Sequence, residues 1–449
     1  MEIDPKIFKA YDIRGIIGEN LSAELMTTIG RAYATFLKPK RVAVGRDVRN
    51  SGLELQTALM DGIRQQGVAV VDIGVVTSDA LYFTVGKYGF DGGAMVTASH
   101  NPSHWNGVKF TRDQAIPLFA GQGIQQIKDI VVTNKFDPPA SQPGSYKELD
   151  IQAAYVEQIL SFGKLANPRP LKIVIDPGNG TVIRFLSDIM SKLPFAWEGI
   201  NLEPDGNFPG RNPNPLAAGA LDGLAARVVA TRADLGVAFD ADADRMFFID
   251  DQGQQVLGDV LTALLAEQFL KLYPGAAIVY NLICSHMVPE VITKAGGRPI
   301  RSAVGHANMK PAMRQHDAPF GGEISGHFFF RDFYYADSGL AAMVTGLDFL
   351  SNQPKPLSEL VREIDIYAHD AEVNSTVADI PATLAALKGK YANGQIDQAD
   401  GLTVEYADWW FNARPSNTEP VLRLTVEAKT VELMEQRRAE LLAIIRQSI

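Results

Sequence analysis

Short apolar runs rich in β-branched residues recur along this chain, and each leads into a polar or glycine-rich loop. Runs of this kind are typical of strands that are buried on both faces, as in parallel sheets. The runs cover positions 42–44, 68–73, 94–96, 173–175, 235–239, 277–279, 299–304 and 320. Segments with helical apolar spacing lie between them, at 53–65, 222–230 and 259–272. This alternation predicts α/β units with right-handed crossovers.

The strand and helix units fall into three comparable sets, and 449 residues are too many for a single hydrophobic core. The C-terminal part differs, because 401–411 and 421–428 alternate as antiparallel strands do and 431–449 has helical spacing. We predict three related α/β domains with mixed sheets and a smaller α+β C-terminal domain around one central cleft. The predicted domains are 1–145, 146–250, 251–365 and 366–449. The predicted linkers lie near 137–144, 250–253 and 364–373.

In each predicted α/β domain, a polar loop follows the strand that closes the set. The three loops contain Ser99, Asp240 and Glu323. Open α/β sheets bind ligands at the carboxyl ends of their strands. We therefore expect the three loops to face one cleft.

The first of these loops offers a nucleophile. In the run 97–102, Thr-Ala-Ser-His-Asn-Pro, the hydroxyl of Ser99 lies beside the imidazole of His100, and Lys109 follows one short loop later. Serine needs such neighbours, because it is a weak nucleophile and its phosphate ester is a poor donor unless charge is neutralised around it. Ser, Asn and Pro also favour ordinary turns. The run is not a G-x-S-x-G elbow, so an α/β-hydrolase is not indicated.

The second loop offers a cation site. Asp240, Asp242 and Asp244 occupy alternate positions, and in an extended segment their side chains would point the same way. Three carboxylates so close together are costly without a cation, and hard oxygen ligands select Mg²⁺ or a related ion. An EF-hand is excluded, because Arg245 stands where it needs Gly and Asp251 where it needs Glu. A solvated acidic turn is the alternative, which the preceding buried strand disfavours.

Two further polar runs suit a sugar phosphate. In the run 322–327, Glu323 and Ser325 can together hydrogen-bond vicinal sugar hydroxyls. The run 414–418 combines a guanidinium, two hydroxyls and a turn rich in N–H groups, which suits an anion, although a plain turn is the alternative reading. The polar residues of this second run are Arg414, Ser416, Asn417 and Thr418.

These four runs resemble, in order and spacing, those of the α-D-phosphohexomutase family, and the resemblance extends from position 8 to about 428. Members of the family are isomerases that interconvert hexose 1- and 6-phosphates through a phosphoserine and a hexose 1,6-bisphosphate. The phosphoglucosamine branch usually has Gly where this chain has Asn417, so the chain is similar to the phosphomannomutase/phosphoglucomutase branch. The resemblance implies mannose and glucose phosphates as substrates and a hexose 1,6-bisphosphate as activator.

The resemblance also implies roles for single residues. Ser99 would carry the phosphate and join Asp240, Asp242 and Asp244 as a ligand of Mg²⁺. Arg14, in the run 11–15, would neighbour the phosphoserine, and Arg245 would reach toward the substrate. The two histidines that match active-site positions of the family are His306 and His327, although a histidine at a strand end is often only a structural hydrogen-bonding group. The one departure in the metal loop is Ala241, which stands where the family usually has Gly.

Other activities are weighed against this one. A phosphoglucosamine mutase, a metal-dependent sugar phosphatase with a serine nucleophile and a non-catalytic sugar-phosphate sensor are the alternatives. Retention of Ser99 and all three aspartates argues against the sensor, and a distal phosphate cradle would be superfluous in a phosphatase. The chain has neither a P-loop nor a G-x-G-x-x-G signature, which disfavours nucleotide-dependent kinases and dehydrogenases.

Charge and composition limit the partners and the compartment. The chain carries 52 acidic and 42 basic residues, a formal charge of −10, which argues against nucleic acid or an anionic membrane as a partner. An anionic substrate must therefore be captured by local clusters of Arg, Lys and backbone N–H groups. The single cysteine, Cys284, excludes an internal disulfide and suits a reducing compartment. With neither a signal peptide nor an apolar run long enough for a membrane span, we expect a cytoplasmic enzyme that is a monomer or a dimer.

Overall fold

The computed structural model describes residues 3–369, 372–416 and 421–446. Its first sheet has the strand order β1-β5-β4-β2-β3-β6. Its strands are β1 Ile13–Ile16, β2 Arg41–Arg46, β3 Ala69–Val75, β4 Gly92–Val96, β5 Trp105–Arg112 and β6 Tyr146–Glu148. Its helices are α1 Ala23–Leu37, α2 Gly52–Gln65, α3 Ser78–Tyr88 and α4 Gln125–Thr133. The sheet is mixed, because β2, β3, β4 and β6 are parallel whereas β5 runs antiparallel to both β4 and β1.

The second sheet has the strand order β11-β10-β9-β7-β8. Its strands are β7 Lys172–Asp176, β8 Ala196–Gly199, β9 Leu235–Phe239, β10 Met246–Ile249 and β11 Gln255–Val256. Helices α5 Gln152–Leu160, α6 Ile183–Met190 and α7 Asp222–Thr231 accompany it. Strands β7, β8 and β9 are parallel, and β10 returns antiparallel to β9. Every residue of β9 is buried, which agrees with its continuous apolar sequence.

The third sheet repeats this plan with the strand order β13-β12-β14-β15-β16. Its strands are β12 Ala277–Asn281, β13 Arg298–Ser302, β14 Phe320–Gly322, β15 Phe328–Phe330 and β16 Ala336–Asp337. Its helices are α8 Gly258–Leu272, α9 Met287–Lys294, α10 His306–His316, α11 Gly339–Ser351 and α12 Leu357–Ile364. The sheets of the second and third domains share one hydrophobic core with α3 of the first, so the three α/β units pack closely together.

The C-terminal sheet is antiparallel and has its own core. Its strands are β17 Ala368–His369, β18 Val373–Ser375, β19 Gln395–Asp397, β20 Leu402–Glu405, β21 Trp409–Pro415 and β22 Leu422–Ala428. Its helices are α13 Ile380–Lys390 and α14 Val431–Arg446. The segment 401–411, which has one continuous alternating pattern, contains a turn that separates β20 from β21. The predicted fold class, three α/β domains with mixed sheets and an α+β C-terminal domain, is confirmed.

One hairpin recurs in the three α/β domains. In each, a central parallel strand leads into a polar loop, and the chain returns antiparallel beside that same strand. The three pairs are β4 with β5, β9 with β10, and β14 with β15. The loops between them contain Ser99, Asp240 and Glu323, so each predicted chemical loop is the turn of a β-hairpin at the carboxyl end of its sheet.

Two domain limits differ in detail from those expected from the sequence. Strand β6 lies beyond the predicted limit at residue 145, yet it pairs with β3 of the first sheet. The expected linker at 250–253 is a hairpin turn instead, because β11 pairs with β10 of the second sheet. Polar turn residues have the same composition in a hairpin as in a linker, so the pattern does not separate the two.

Candidate active site

The Ser99 loop has a strained backbone and a buried hydroxyl. Ser99 adopts a left-handed φ of 50° and is only 4% exposed. Its Oγ lies 3.1 Å from Nδ1 of His100, and its N–H donates to Oγ1 of Thr97 at 2.8 Å. A left-handed non-glycine residue is costly and persists where its surroundings hold it in place. The loop therefore presents one hydroxyl in a defined position beside one imidazole.

Arg49 is the group that holds this loop. Its guanidinium side chain is fully buried and pairs through Nε with Asp47 at 3.1 Å. Its four remaining N–H groups donate to loop carbonyls at 2.6–3.0 Å. The accepting carbonyls belong to Ser99, Asn101, Pro102 and Trp105. Four donors of this one side chain thus fix the backbone around the nucleophile, and the fifth fixes the side chain itself on Asp47.

Arg14 lies on the other side of the same loop. It is in β1 opposite Gly107 of β5, where a Cβ on Gly107 would come within 1.9 Å of the carbonyl oxygen of Ile13. Glycine is therefore required for this close strand pairing. Nη1 of Arg14 donates to Oδ1 of Asn101 at 2.6 Å, and Asp12 pairs with the guanidinium at 2.7 Å.

The three aspartates of the second loop converge as predicted, but for a different reason. Asp240, Asp242 and Asp244 are buried, and each contributes an oxygen to a group whose members lie within 4.8 Å of one another. The expectation of an extended segment is wrong, since the loop is a turn in which Ala243 has a φ of 60°. The left-handed residue is Ala243 and not Ala241, so the replacement of the family's glycine at Ala241 introduces no strain of this kind.

Cationic side chains occupy only part of this carboxylate group. Nζ of Lys109 lies 2.7 Å from Oδ2 of Asp242 and 2.5 Å from Oδ2 of Asp244, while Nε of Arg245 donates to Oδ2 of Asp240 at 2.8 Å. Among the described residues, Oδ1 of Asp242 and Oδ1 of Asp244 are buried and have no hydrogen-bond partner. Buried acceptors of this kind are rare in native proteins. Their placement fits a divalent cation that takes carboxylate oxygens as ligands.

Charged groups of the Ser99 loop and the Asp240 loop shift one another's pKa values. Burial, together with the nearby Asp244 and Asp242, raises the pKa of Asp240 to about 8, against the opposing effect of Arg245. Burial alone would also raise the pKa of Asp244, but Lys109, His327 and Arg245 hold it well below its usual range. The pKa of His100 is lowered well below 6.5 by burial and by Arg245 and Arg14, so the imidazole is neutral near pH 7. Lys109 of the first domain and Arg245 of the second thus compensate the anions of the metal loop.

The Glu323 loop lies beside this centre. Oε1 of Glu323 accepts from Nδ2 of Asn281 at 3.0 Å and from N of Gly305 at 2.8 Å. Nδ1 of His327 lies 2.9 Å from Oγ of Ser325 and 3.6 Å from Oε2 of Glu323. Nε2 of the same imidazole lies 3.7 Å from Oδ1 of Asp244. His327 therefore stands between the third loop and the metal loop.

His306 connects the third domain to the first. It begins α10 after Gly305, which has a φ of 103°. Its ring packs edge-on against Tyr11 at 5.2 Å between centroids, and the hydroxyl of Tyr11 donates to the carbonyl of Val304 at 3.3 Å. Burial and the nearby Lys310 lower the pKa of His306 to about 3, so it is a neutral imidazole at the cleft.

The fourth run is partly described. Arg414 in β21 is 2% exposed and lies directly across the sheet from Arg423 in β22. Glu372 pairs with both guanidinium groups, at 3.3 Å in the case of Arg423. Ser416 follows at the end of β21. The other two predicted cradle residues, Asn417 and Thr418, lie outside the described residues.

Four segments of the chain match, in order, the domains of one family. The descriptions are phosphoglucomutase/phosphomannomutase α/β/α domains I, II and III and the C-terminal domain. The matched residues are 5–138, 153–253, 257–367 and 372–444. A phosphomannomutase of Salmonella typhimurium is 40% identical over 98% of this chain and 99% of its own. The chain belongs to the phosphoglucomutase/phosphomannomutase family.

Two further relatives extend this comparison. A protein of Xanthomonas campestris described as phosphohexose mutases is 37% identical over 98% of this chain and 99% of its own. The crystal structure of a phosphoglucomutase/phosphomannomutase family protein from Burkholderia thailandensis superposes with a TM-score of 0.91 and 34% identity, covering 100% of this chain and 98% of the other. The prediction of a phosphohexomutase isomerase is confirmed.

The sequence motifs did not indicate Arg49, which follows Asp47 by two residues just after β2. Asp47 does have a structural role, since it accepts from Thr97 and Arg49. The available signal was an arginine two residues after an aspartate at a strand end, which is too common to be informative without the fold.

Within the described residues, no helix combines the length and the apolar composition needed to cross a bilayer.

Proposed function

We propose that the protein is a phosphomannomutase/phosphoglucomutase that reversibly interconverts hexose 1-phosphates and hexose 6-phosphates through phosphorylated Ser99. The observation that carries this proposal is that Lys109 links the Ser99 loop to the Asp240 loop. This side chain starts on the strand that returns from the Ser99 loop and ends between Asp242 and Asp244. A hydroxyl nucleophile, a cation site and compensating positive charge at one place suit phosphoryl transfer.

In the first half-reaction, the free hydroxyl of a hexose monophosphate attacks the phosphorus of phospho-Ser99. The new sugar O–P bond forms as the P–Oγ bond breaks, and the product is a hexose 1,6-bisphosphate. After the bisphosphate turns over in the cleft, Oγ of Ser99 attacks the other phosphate; the P–Oγ bond re-forms as that sugar O–P bond breaks, and the sugar oxygen leaves as a hydroxyl with the proton that Ser99 gives up. His100 is the proposed carrier of the Ser99 proton, because its neutral Nδ1 lies 3.1 Å from Oγ. Arg14 and Lys109 stabilise the negative charge of the transferring group.

Asp240, Asp242 and Asp244, with an oxygen on Ser99, are the proposed ligands of Mg²⁺. The fit rests on the two buried, unpartnered carboxylate oxygens of Asp242 and Asp244 in the described part of the chain. Bound there, Mg²⁺ would neutralise charge on the phosphoryl group. Arg245, held by Asp240 at 2.8 Å, is proposed to line the substrate side of the same loop. A trace of hexose 1,6-bisphosphate is the proposed activator, because it phosphorylates Ser99.

Glu323 and Ser325 are proposed to bind the sugar. Oε1 of Glu323 is fixed by two donors, so Oε2 is the oxygen that can accept from a sugar hydroxyl. Two histidines are also proposed to line the sugar site. They are His306, the first residue of α10, and His327, at the end of the Glu323 loop. Arg414, Ser416, Asn417 and Thr418 are proposed to hold the phosphate that is not reacting.

Mannose and glucose phosphates differ only in configuration at C2. If Glu323 and Ser325 bind O3 and O4, the site has no strong handle on C2, and strong discrimination needs a buried polar group that the wrong substrate leaves unpaired. We therefore expect mannose 1-phosphate and glucose 1-phosphate both to be converted, with kcat/KM values within roughly a hundredfold of each other. Glucosamine 1-phosphate and its N-acetyl form should be much poorer substrates.

The test measures 6-phosphate and inorganic phosphate produced from each sugar 1-phosphate at one activator concentration. The proposal expects isomerised product without stoichiometric free phosphate. Release of inorganic phosphate as the main product would indicate a phosphatase instead. Highest kcat/KM on glucosamine 1-phosphate would overturn the assignment to the mannose and glucose branch.

A further inference from the structure

Ser78 is a buried hydroxyl from the first domain that touches the metal loop of the second. It is the first residue of α3 and has no exposed surface. Its Oγ donates to Oδ2 of Asp242 at 2.5 Å, and its backbone N–H donates to the carbonyl of Asp242 at 3.0 Å. One residue therefore fixes both the side chain and the backbone of Asp242, across a domain boundary.

These contacts determine which oxygen of Asp242 is available. Oδ2 receives both Ser78 and Lys109, at 2.5 and 2.7 Å. Within the described residues, Oδ1 of the same carboxylate is buried and has no hydrogen-bond partner. The same holds for Oδ1 of Asp244, whose Oδ2 also pairs with Lys109. Ser78 and Lys109 thus occupy Oδ2 of Asp242, and Lys109 occupies Oδ2 of Asp244, which leaves Oδ1 of each as the oxygen without a hydrogen bond in the described part of the chain. The N-terminus of α3 adds a favourable dipole toward the anion.

The start of α3 is itself held by a second buried network. Asp79, fully buried, accepts from the hydroxyls of Thr77, Tyr155 and Ser338. Tyr155 belongs to α5 of the second domain, and Ser338 caps α11 of the third. Because three domains converge on this one helix end, Ser78 has little freedom to move away from Asp242.

We infer that Ser78 is a positioning residue of the metal site, which reserves Oδ1 of Asp242 for the cation by holding Oδ2 and the backbone of the metal loop. The inference rests on the proposed assignment of the cation to Asp240, Asp242 and Asp244. Groups that orient metal ligands commonly change metal affinity by ten- to a hundredfold when they are removed. Since Lys109 still holds Oδ2 when Ser78 is lost, the lower end of that range is expected.

The test is the affinity of the purified metal-free protein for Mn²⁺, a paramagnetic substitute for Mg²⁺, measured by electron paramagnetic resonance. Ser78→Ala should raise the dissociation constant about tenfold, with kcat recovering toward the wild-type value at saturating Mg²⁺. The thermal unfolding midpoint of the metal-free variant should stay close to that of the wild type. Thr84→Val, which removes another buried hydroxyl from the same helix, is the matched control and should bind Mn²⁺ as the wild type does.

Each outcome decides one of two questions. Asp244→Asn tests the cation site itself, so unchanged Mn²⁺ binding in that variant would refute the proposed site. Loss of binding in Asp244→Asn together with wild-type affinity in Ser78→Ala would refute the role of Ser78 alone. If Ser78→Ala does not unfold cooperatively, Ser78→Cys, with its weak donor, replaces it with the same expected weakening. Wild-type affinity in a folded Ser78→Cys would then overturn the inference.

Discussion

At the scale of single residues, side chains that lie far away in the sequence hold the candidate Ser99 and Asp240 loops in place. Ser99, the three aspartates and Glu323 could be named as candidates from the sequence, because each stands in a compact run whose chemistry is visible without the fold. Arg49 and Ser78 could not, because each acts on a loop that is distant in sequence. Ser78 contacts Asp242, 164 positions away, and Arg49 contacts Ser99 across 50. Isolated arginines and serines give no signal until the strands bring them to such loops.

Ser99→Ala should remove nearly all mutase turnover, because no other hydroxyl in the described part of the loop has the same position beside His100. The expected loss exceeds about a hundredfold in kcat, as is usual when a covalent nucleophile is deleted. Far-ultraviolet circular dichroism should be unchanged. Ser103→Ala, in the same loop, is the control and should retain activity. Residual turnover above a hundredth of the wild-type rate in Ser99→Ala would contradict a covalent mechanism.

At the scale of elements, the same hairpin supports each of the three chemical loops, and a buried polar group braces each of them. Arg49 braces the Ser99 loop. Arg211 pairs with Asp176 at the end of β7 and donates to the carbonyl of Phe239, the residue before Asp240, at 2.6 Å. Asn281, at the end of β12, donates to Glu323. The periodic pattern predicted the strands, but the braces depend on which strand ends become neighbours.

The local conformation of the metal loop could not be predicted from its alternating aspartates. Alternate aspartates predicted the correct clustering from an incorrect local conformation, since a hairpin turn with a left-handed Ala243 brings the carboxylates together. A tight turn and an extended segment can both bring alternate residues together.

Arg49→Lys should lower kcat roughly a hundredfold, because a small displacement of a nucleophile can have an effect of that size. Lysine keeps the charge but offers one ammonium in place of the four donors that hold the Ser99 loop. KM for the sugar phosphate should change little, since the proposed sugar and phosphate contacts lie on other loops. Steady-state kinetics measure both parameters. Arg64→Lys is the control, because it alters a partly buried arginine that donates to the carbonyl of Gly144, away from the Ser99 loop. A rise in KM with unchanged kcat would refute the positioning role.

At the scale of the whole molecule, polar contacts join the C-terminal domain to the third domain. Glu427 accepts from the backbone of His286 at 3.1 Å, Arg301 pairs with Glu405 at 2.9 Å, and Asp400 accepts from the backbone of Val304 at 3.0 Å. Interfaces of this kind permit relative domain motion. A lid-like motion suits a bisphosphate that must reorient without escaping.

Removal of residues 366–449 should leave a folded three-domain core with a strongly raised KM. The reason is that the proposed distal phosphate cradle belongs to the deleted domain, whereas the large apolar core belongs to the remaining ones. Thermal unfolding checks the fold of the truncated protein, and a calorimetric titration with glucose 1-phosphate checks its affinity. Undiminished affinity would show that the C-terminal domain does not hold the substrate phosphate.

His369, at the joint between these domains, should make stability depend on pH. Nε2 of His369 lies 3.0 Å from Asp365, and its Nδ1 lies 4.0 Å from Asp259. Burial opposes protonation of the ring, but these carboxylates and Glu427 raise the pKa of His369 from 6.5 to about 9. Because the folded pKa is the higher one, the stabilisation is full below about pH 6.5 and disappears as the pH rises through 9. His369→Gln should therefore lower the unfolding midpoint most at pH 6 and hardly at all above pH 9. An equal loss at every pH would exclude this ion pair as the cause.

The central claim is that Ser99 carries the phosphoryl group that moves between the two ends of a hexose. Peptide mass mapping of the protein, before and after incubation with glucose 1,6-bisphosphate and Mg²⁺, tests it most directly. The account predicts one added phosphate, confined to the peptide that contains Ser99, and its loss when excess unphosphorylated glucose analogue or hexose monophosphate accepts it. Full mutase turnover by protein with no phosphate on Ser99, or with the phosphate on another residue, would contradict the account.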